Sequence, residues 1–292
     1  MMGGVYALDD NRKILPAKFN NVFLTLFTNP KYKDTVVLPF LRDMLSQPNL
    51  RSEDVNISDP RLPSDELEEK HPIVDVFITM SREILHIEMQ FFVTKETLER
   101  FHYYHCKAFG GQLKSGEIYK ALKKVMSIFF TTETAISEDN DYLHEFVTYD
   151  IKHGITMTTK SMEKVIELNK LPLEYDGTPE WIWSSLFDAE EEARLNMLAT
   201  DFPKVAGAAN AIKELSSDPQ FRREAYLAEK AKKDWLSSIY SAKEDGYEEG
   251  ILIGEQKGLI MGAKAMAKRG IPLADIASDY NQPVSVIESW VR

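Results

Sequence analysis

The sequence predicts an α/β fold, a mixed sheet flanked by helices over about the first 172 residues, followed by an all-helical C-terminal lobe. Two apolar stretches, residues 73–78 and 84–90, have the length of strands and are separated by a short polar turn, which is typical of a hairpin. Residues 125–130 form a continuous apolar run that predicts a buried central strand. From Thr178 onward the apolar residues instead recur at helical spacing.

The other elements follow from the spacing of apolar residues and from the positions of proline and glycine. In chain order we expect helices within 14–47, a short strand near 55–57, the hairpin, a helix over about 94–109, a helix or turn over 118–124, the strand 125–130, and a second strand pair at 146–151 and 155–159. Thr178 is a suitable N-cap and Pro179 suits the first helical position, so a helix begins there. The helical pattern that follows is interrupted near Pro203 and Pro219.

The C-terminal tail has a period of its own, because glycine recurs at every fourth position. The five glycines are Gly246, Gly250, Gly254, Gly258 and Gly262. A helix with a smooth stripe, against which another backbone can pack, explains this spacing better than a flexible linker. Two short helices are expected after turns near Gly270 and Pro283, a spacing more typical of a small helical cap than of a DNA reader. The predicted domains are residues 1–172, 173–245 and 246–292.

The composition is that of a globular protein, with 43% hydrophobic and 28% charged residues. No stretch approaches the roughly 18 consecutive apolar residues of a membrane span, so none is expected. The first residues lack the basic start and apolar run of a secretory signal. The single cysteine, Cys106, excludes an internal disulfide and a multi-cysteine zinc site. Together these features predict a cytoplasmic protein.

The charge is strongly acidic overall but unevenly spread. A net charge of -11 argues against a chain that coats DNA through its total charge. Between Lys95 and Lys124, however, seven basic residues stand against three acids. A local basic patch of this kind suits a site that meets phosphate only there, and an ordinary solvated helix face explains it about equally well.

Each strand of the hairpin carries one acid, Asp75 in the first and Glu88 in the second. Alternate residues of a strand share a face, so His86, Glu88 and Gln90 point to one side. If the strands pair across the turn, Asp75 lies beside Glu88. Two neighbouring carboxylates repel unless a cation lies between them, and Mg²⁺ prefers such oxygen ligands. A half-exposed hairpin with both acids in solvent explains the pattern equally well.

The order of these residues, taken together, resembles a known nuclease family. Asp75 is followed by Glu88-Met89-Gln90, by Arg100 with Phe101 to Tyr104 after it, by Gln112, and by the strand 125–130. This order resembles the PD-(D/E)XK nuclease-family transposases, also called the Rpn family of recombination-promoting nucleases. The resemblance implies a restriction-endonuclease-like mixed sheet flanked by helices. It also implies Mg²⁺-dependent (or Mn²⁺-dependent) cleavage of DNA phosphodiesters in recombination or element mobility.

The resemblance also implies roles for particular residues. Asp75 and Glu88 are similar to the catalytic metal ligands, and Gln90 stands where the wider superfamily has a catalytic lysine. An amide can position water but brings no charge. Three further residues are expected to bind the substrate: Arg100, Lys107 and Gln112. The planar fork of Arg100 suits phosphate, although the residue could equally pair with an acid of its own helix. His86, on the face of Glu88, is an expected auxiliary residue.

One departure from the family pattern bears on catalysis. The family usually opens with Asp-x-x-Phe-Lys on its first helix, and here Asn20 replaces the acid and Leu24 the lysine. Asn20 can still offer a carbonyl oxygen as an auxiliary ligand. The departure motivates a second hypothesis, a nuclease-fold DNA-binding protein that has lost chemistry. A third hypothesis is a scaffold that forms a homo-oligomer, or binds partners, through the glycine-stepped helix.

Overall fold

The computed structural model describes residues 14–58 and 75–292. Eight strands are present in these ranges: β1 Asn56–Ser58, β2 Val76–Thr79, β3 Glu83–Gln90, β4 Lys124–Thr131, β5 Leu143–Phe146, β6 Tyr149–Asp150, β7 Ile155–Thr156 and β8 Ser161–Glu167. Six of them form a mixed sheet in the order β1-β2-β3-β4-β8-β5. β3, β4 and β8 are parallel, whereas β2 and β5 pair antiparallel to β3 and β8. The sheet is therefore the mixed sheet that the sequence predicts.

Helices account for the rest of the regular structure. The described part of the chain has α1 Asn20–Thr28, α2 Leu38–Met44, α3 Thr97–Gly110, α4 Pro179–Asp188, α5 Glu192–Asp201, α6 Ala206–Ser217, α7 Pro219–Lys268, α8 Leu273–Asp279 and α9 Val284–Val291. A π-helical turn, Lys33–Val37, leads into α2. α3 joins β3 to β4, as parallel neighbours require a crossover connection. The Thr178 side chain accepts a hydrogen bond from the Trp181 N–H and so caps α4 as predicted.

The two faces of the sheet are covered by different helices. Leu85, Ile87 and Met89 of β3 point into a large core together with residues of α1, α2 and α4. The opposite face is covered by α3, where the Phe101 ring contacts the Phe129 ring of β4 at 5.2 Å. His86 and Glu88 lie on this second face, beneath α3. The predicted alternation of β3 is confirmed, and both faces are buried.

The pair of strands expected at 146–151 and 155–159 is confirmed as a short ribbon, β6 and β7, which is separate from the main sheet and in which Ile155 is exposed. The main sheet also contains β8, which pairs with β4 on the side away from β3. The sequence analysis missed this strand. β8 was missed because its sequence is largely polar, and its polar residues pair with residues that are distant in the sequence. Lys164, for example, lies 2.7 Å from Glu145 and 2.6 Å from Glu180.

Contacts divide the chain into two compact units, Met1–Glu229 and Lys230–Arg292. Within the first unit, α4 to α6 share the core of the sheet through residues such as Trp183, Leu195 and Ile212. The boundaries predicted at residues 172 and 245 do not coincide with this division and stay predictions of domain organisation. Among the described residues, no helix combines the length and the apolarity that crossing a membrane requires.

The glycine-stepped segment of the second unit is helical, as expected, and lies within α7. A Cβ atom placed at four of its glycines would meet open space: Gly246, Gly250, Gly254 and Gly258. At Gly262 the Tyr280 hydroxyl occupies the place of a Cβ, so a side chain there would clash. The end of α7 packs with α8 and α9 around a small apolar cluster that includes Ala263, Ile276 and Ile287. Assembly through the glycine-stepped helix stays a prediction.

Candidate functional site

The two acids of the hairpin lie side by side at the point where the β2–β3 ladder ends. Val76 pairs with Ile87, so Asp75 stands opposite Glu88, one position beyond the ladder. The Asp75 N–H donates to Glu88 Oε1 at 3.3 Å, and the Met89 N–H donates to Asp75 Oδ2 at 2.9 Å. Each carboxylate thus accepts a backbone N–H from the strand of the other acid.

The Glu88 carboxylate is almost completely buried and is oriented by its neighbours on β3. Glu88 Oε1 lies 3.1 Å from His86 Nε2, and Oε2 lies 3.4 Å from the Gln90 amide nitrogen. His86, Glu88 and Gln90 therefore form one contiguous polar row along the face beneath α3. Because a buried carboxylate is costly without such partners, the row explains how the strand can carry Glu88.

α3 brings a basic and an aromatic side chain to the same region. Burial raises the pKa of the Tyr104 hydroxyl, the charge of Arg100 lowers it, and the charge of Glu88 raises it. Arg100 lies one helical turn before Tyr104 on α3 and is exposed. Lys107 lies two turns further along α3 and is half-buried. The substrate-binding roles of Arg100 and Lys107 stay predictions.

The Gln112 side chain makes two hydrogen bonds with the backbone of Lys123. Its side-chain amide donates to the Lys123 carbonyl oxygen at 3.2 Å and accepts the Lys123 N–H at 2.8 Å. Both ends of the amide are thus engaged in holding the segment that leads into β4. Its predicted contact with substrate would require one of these hydrogen bonds to be shared or exchanged.

Asn20 and Leu24, the two residues of α1 that depart from the family pattern, have different surroundings. Leu24 packs against the large apolar core, so it is a packing residue where the family has lysine. Asn20 is half-buried in the first turn of α1, and its N–H donates to the buried Glu229 carboxylate at 3.3 Å. The Phe19 ring lies 6.0 Å from the Phe91 ring, which directly follows β3, so the start of α1 is close to the site end of β3.

The sequence analysis missed three polar residues that lie beneath α3 with His86: His105 on α3, Ser127 on β4 and Ser161 on β8. Ser127 had a sequence signal, since it is the polar residue within the apolar run of β4. His105 had none, because one histidine among helical aromatics is typical of an ordinary packing position.

The donor chemistry of the site suits a hard divalent cation. Asp75 and Glu88 offer only carboxylate oxygens, and Mg²⁺ accepts one or two carboxylates while keeping several waters. Across residues 14–58 and 75–292, no group of three or more His, Cys, Asp or Glu side chains is arranged to hold a metal. The residues thus fit a two-carboxylate site completed by water, and they do not fit a zinc-type cage.

A mixed sheet flanked by helices, with Asp75 beside the Glu-x-Gln run of Glu88 and Gln90 on the neighbouring strand, fits a nuclease-type α/β core. The family model described as PD-(D/E)XK nuclease family transposase matches residues 18–242. This match covers well over half of the chain, and the protein belongs to that family. No curated protein and no solved structure matches the chain.

Proposed function

We propose that the protein is a divalent-cation-dependent DNA endonuclease that cleaves phosphodiester bonds in recombination or in the mobility of a genetic element. Family membership supports a nuclease. The observation that carries the proposal is the mutual contact of Asp75 and Glu88, each of which accepts a backbone N–H from the other's strand. The proposed ion is Mg²⁺ or Mn²⁺, the partner is DNA, and the compartment is the cytoplasm.

Each residue of the site has a proposed task. Asp75 and Glu88 would hold the ion, and His86 orients Glu88 through its Nε2 atom. The Gln90 amide, already directed to Glu88, can accept a hydrogen bond from a water molecule and so orient it toward the phosphorus. Arg100 binds a phosphate of the substrate with its guanidinium group. When bound, the ion would lower the pKa of a coordinated water and stabilise negative charge on the phosphate.

Plasmid nicking tests this proposal. We expect the parent protein to cleave in Mg²⁺ or Mn²⁺ and to be inactive in a chelator. Asp75→Asn and Glu88→Gln should each reduce the rate by about 10²-fold or more, since each removes a charged oxygen ligand worth several kcal/mol. Glu83→Gln is the matched control, because Glu83 lies at the other end of β3, where its carboxylate accepts a hydrogen bond from Gln47. Cleavage by both site variants at the parental rate would disprove the assignment.

The second candidate function is DNA binding without cleavage. It is favoured by the first helix, where Leu24 is a packing residue and Asn20 brings no charge. A gel-shift titration separates the two functions. A protein that shifts duplex DNA in Mg²⁺, Mn²⁺ and Ca²⁺ but cuts in none of them is a binding protein. A protein that cuts in Mg²⁺ or Mn²⁺ is the proposed nuclease.

A further inference from the structure

A continuous chain of hydrogen bonds runs beneath α3 from the candidate ion site to the far end of the sheet. Glu88 Oε1 lies 3.1 Å from His86 Nε2, and His86 Nδ1 lies 3.2 Å from Ser127 Oγ. Ser127 Oγ lies 2.8 Å from His105 Nδ1, and His105 Nε2 lies 2.8 Å from Ser161 Oγ. The chain therefore links β3, β4, α3 and β8, and it ends on a predicted ion ligand.

Four members of the chain are buried, whereas Ser161, at its end on β8, is half-buried. The exposed fractions are 0% for His86, 0% for Ser127, 2% for His105 and 5% for Glu88. The rings of Phe101 and Tyr104 pack on His86 at 5.6 and 6.4 Å. In such surroundings a hydrogen bond is stronger than in water, and an unpaired polar atom is costly. The arrangement of protons in the chain is therefore tightly constrained.

When both imidazoles are neutral, proton counting gives one arrangement that satisfies every atom. The ionised Glu88 carboxylate can only accept, so His86 carries its proton on Nε2 and accepts at Nδ1. The Ser127 hydroxyl then donates to His86 Nδ1, and its oxygen accepts the proton of His105 Nδ1. His105 Nε2 is left to accept the Ser161 hydroxyl. The two histidines must hold opposite tautomers, Nε2–H in His86 and Nδ1–H in His105.

A neutral His105 is essential to this arrangement, because a protonated ring would offer two donors. Burial, reinforced by the charges of His86 and His102, lowers the pKa of His105 to about 4. His102 itself contacts Glu163 on β8 at 2.8 Å, outside the chain. At neutral pH His105 is therefore uncharged, and its two ring nitrogens are each held by a serine hydroxyl.

We propose that Ser127 and His105 are positioning residues of the nuclease site, which act through His86 to fix the orientation of the Glu88 carboxylate. This inference rests on the proposed function, in which Glu88 holds the ion. The donor from His86 occupies Oε1, so that Oε2 is directed away from the imidazole and toward the Gln90 side. Partners of this kind, behind a ligating side chain, typically change metal affinity by about 10–100-fold when removed.

The tautomers can be measured before any ion is added. Long-range ¹H–¹⁵N NMR on the full chain, with assignments from His86→Gln and His105→Gln, distinguishes protonated from bare ring nitrogens. We expect Nε2–H for His86 and Nδ1–H for His105. In Ser127→Ala the His86 signals should change although residue 86 is untouched. The same tautomer for both rings, or a pair of charged rings at neutral pH, would overturn the proposal.

Calorimetric titration with Mn²⁺ and Mg²⁺ then tests the link to Glu88. Ser127→Ala removes one buried oxygen and should weaken ion binding by about 10–100-fold. Ser161→Ala, at the far end of the chain, should weaken it less and provides a second variant if Ser127→Ala does not fold. The matched control is Ser185→Ala, since Ser185 is a buried serine whose hydroxyl has no hydrogen-bond partner within the described structure.

The outcomes separate this proposal from the proposed function. If the parent binds the ion and folded Ser127→Ala binds it equally well, the positioning role is disproved and the nuclease proposal stands. If the parent binds no divalent ion, the proposed function fails, and the positioning role fails with it. Weaker binding in Ser127→Ala, with parental binding in Ser185→Ala, supports both.

Discussion

The two faces of the central sheet share the same strands but are packed in different ways. On one face, β3 and β4 meet α1, α2 and α4 through apolar side chains, among them a cluster of phenylalanines. On the other face, the same strands meet α3 through His86, Glu88 and Ser127 as well as through aromatic rings. We infer that the first face contributes mainly to the stability of the fold. On the second face, part of the buried area consists of polar groups that orient one another.

This division of labour has an energetic basis. Apolar contacts are individually weak and non-directional, so a core built from them tolerates small rearrangements. Buried hydrogen bonds are directional, and losing one partner leaves the other unsatisfied at a cost of about 1–3 kcal/mol. A face that must hold carboxylates in a fixed geometry benefits from directional contacts. The predictions that follow test this comparison.

The largest expected effect is on the apolar face. Phe130 is completely buried and its ring lies 5.3 Å from Phe187 and 6.3 Å from Phe23. Phe130→Ala should lower the free energy of unfolding by about 3–5 kcal/mol, measured by denaturant titration. Phe129→Ala is the matched variant, because Phe129 directly precedes Phe130 and its side chain lies on the opposite face of the sheet. Its ring contacts Phe101, and we expect a smaller loss; an equal or larger loss would contradict the comparison.

The second prediction concerns pH and the polar face. The pKa of His105 is about 4 in the folded chain and about 6.5 when unfolded, so the unfolded state binds the extra proton first as pH falls. Because of His105, the free energy of unfolding should therefore decrease progressively as the pH falls from 6.5 to 4. The total decrease should be on the order of 3 kcal/mol. Stability curves of the parent and of His105→Gln should diverge in this window, with the variant losing less.

Exposed His153 on the β6–β7 ribbon provides the control for this measurement, since its ring pairs with neighbouring Asp150 at the surface. His153→Gln should retain the steep acid dependence of the parent. Parallel curves for the parent and His105→Gln would show that His105 titrates normally and that the polar face does not exclude charge.

Much of the sheet could be predicted because its strands carry local signals. The alternation of β3, Ile-Leu-His-Ile-Glu-Met, separates the two faces without any knowledge of partners. The continuous apolar run of β4 likewise indicates a central strand. β8 could not be predicted in this way, since its Lys164 becomes compatible with burial only through Glu145 and Glu180. That compensation is tertiary and has no local pattern.

The site shows the same limit. Asp75 and Glu88 could be paired in advance because a hairpin sets their register. The contact of Ser127 with His105 joins residues 22 positions apart, and its partner on the other side, His86, is 41 positions away. Only the packing of α3 on the sheet creates these contacts. Sequence therefore indicated the acids and their strand neighbours His86 and Gln90, but not Ser127 and His105, which are brought to His86 by the packing of α3.

The smallest expected effect on stability is at Arg100 on the outer surface of α3, where we propose that the substrate binds. Arg100 is exposed, so Arg100→Ala should change the free energy of unfolding by no more than about 0.5 kcal/mol. If its guanidinium binds a phosphate, the salt dependence of duplex binding should weaken by about one unit of slope. Fluorescence anisotropy in a chelator measures this without cleavage. Lys33→Ala, in the helical layer of the apolar face, should leave the slope unchanged. Equal slopes for all three proteins would show that Arg100 does not bind a phosphate.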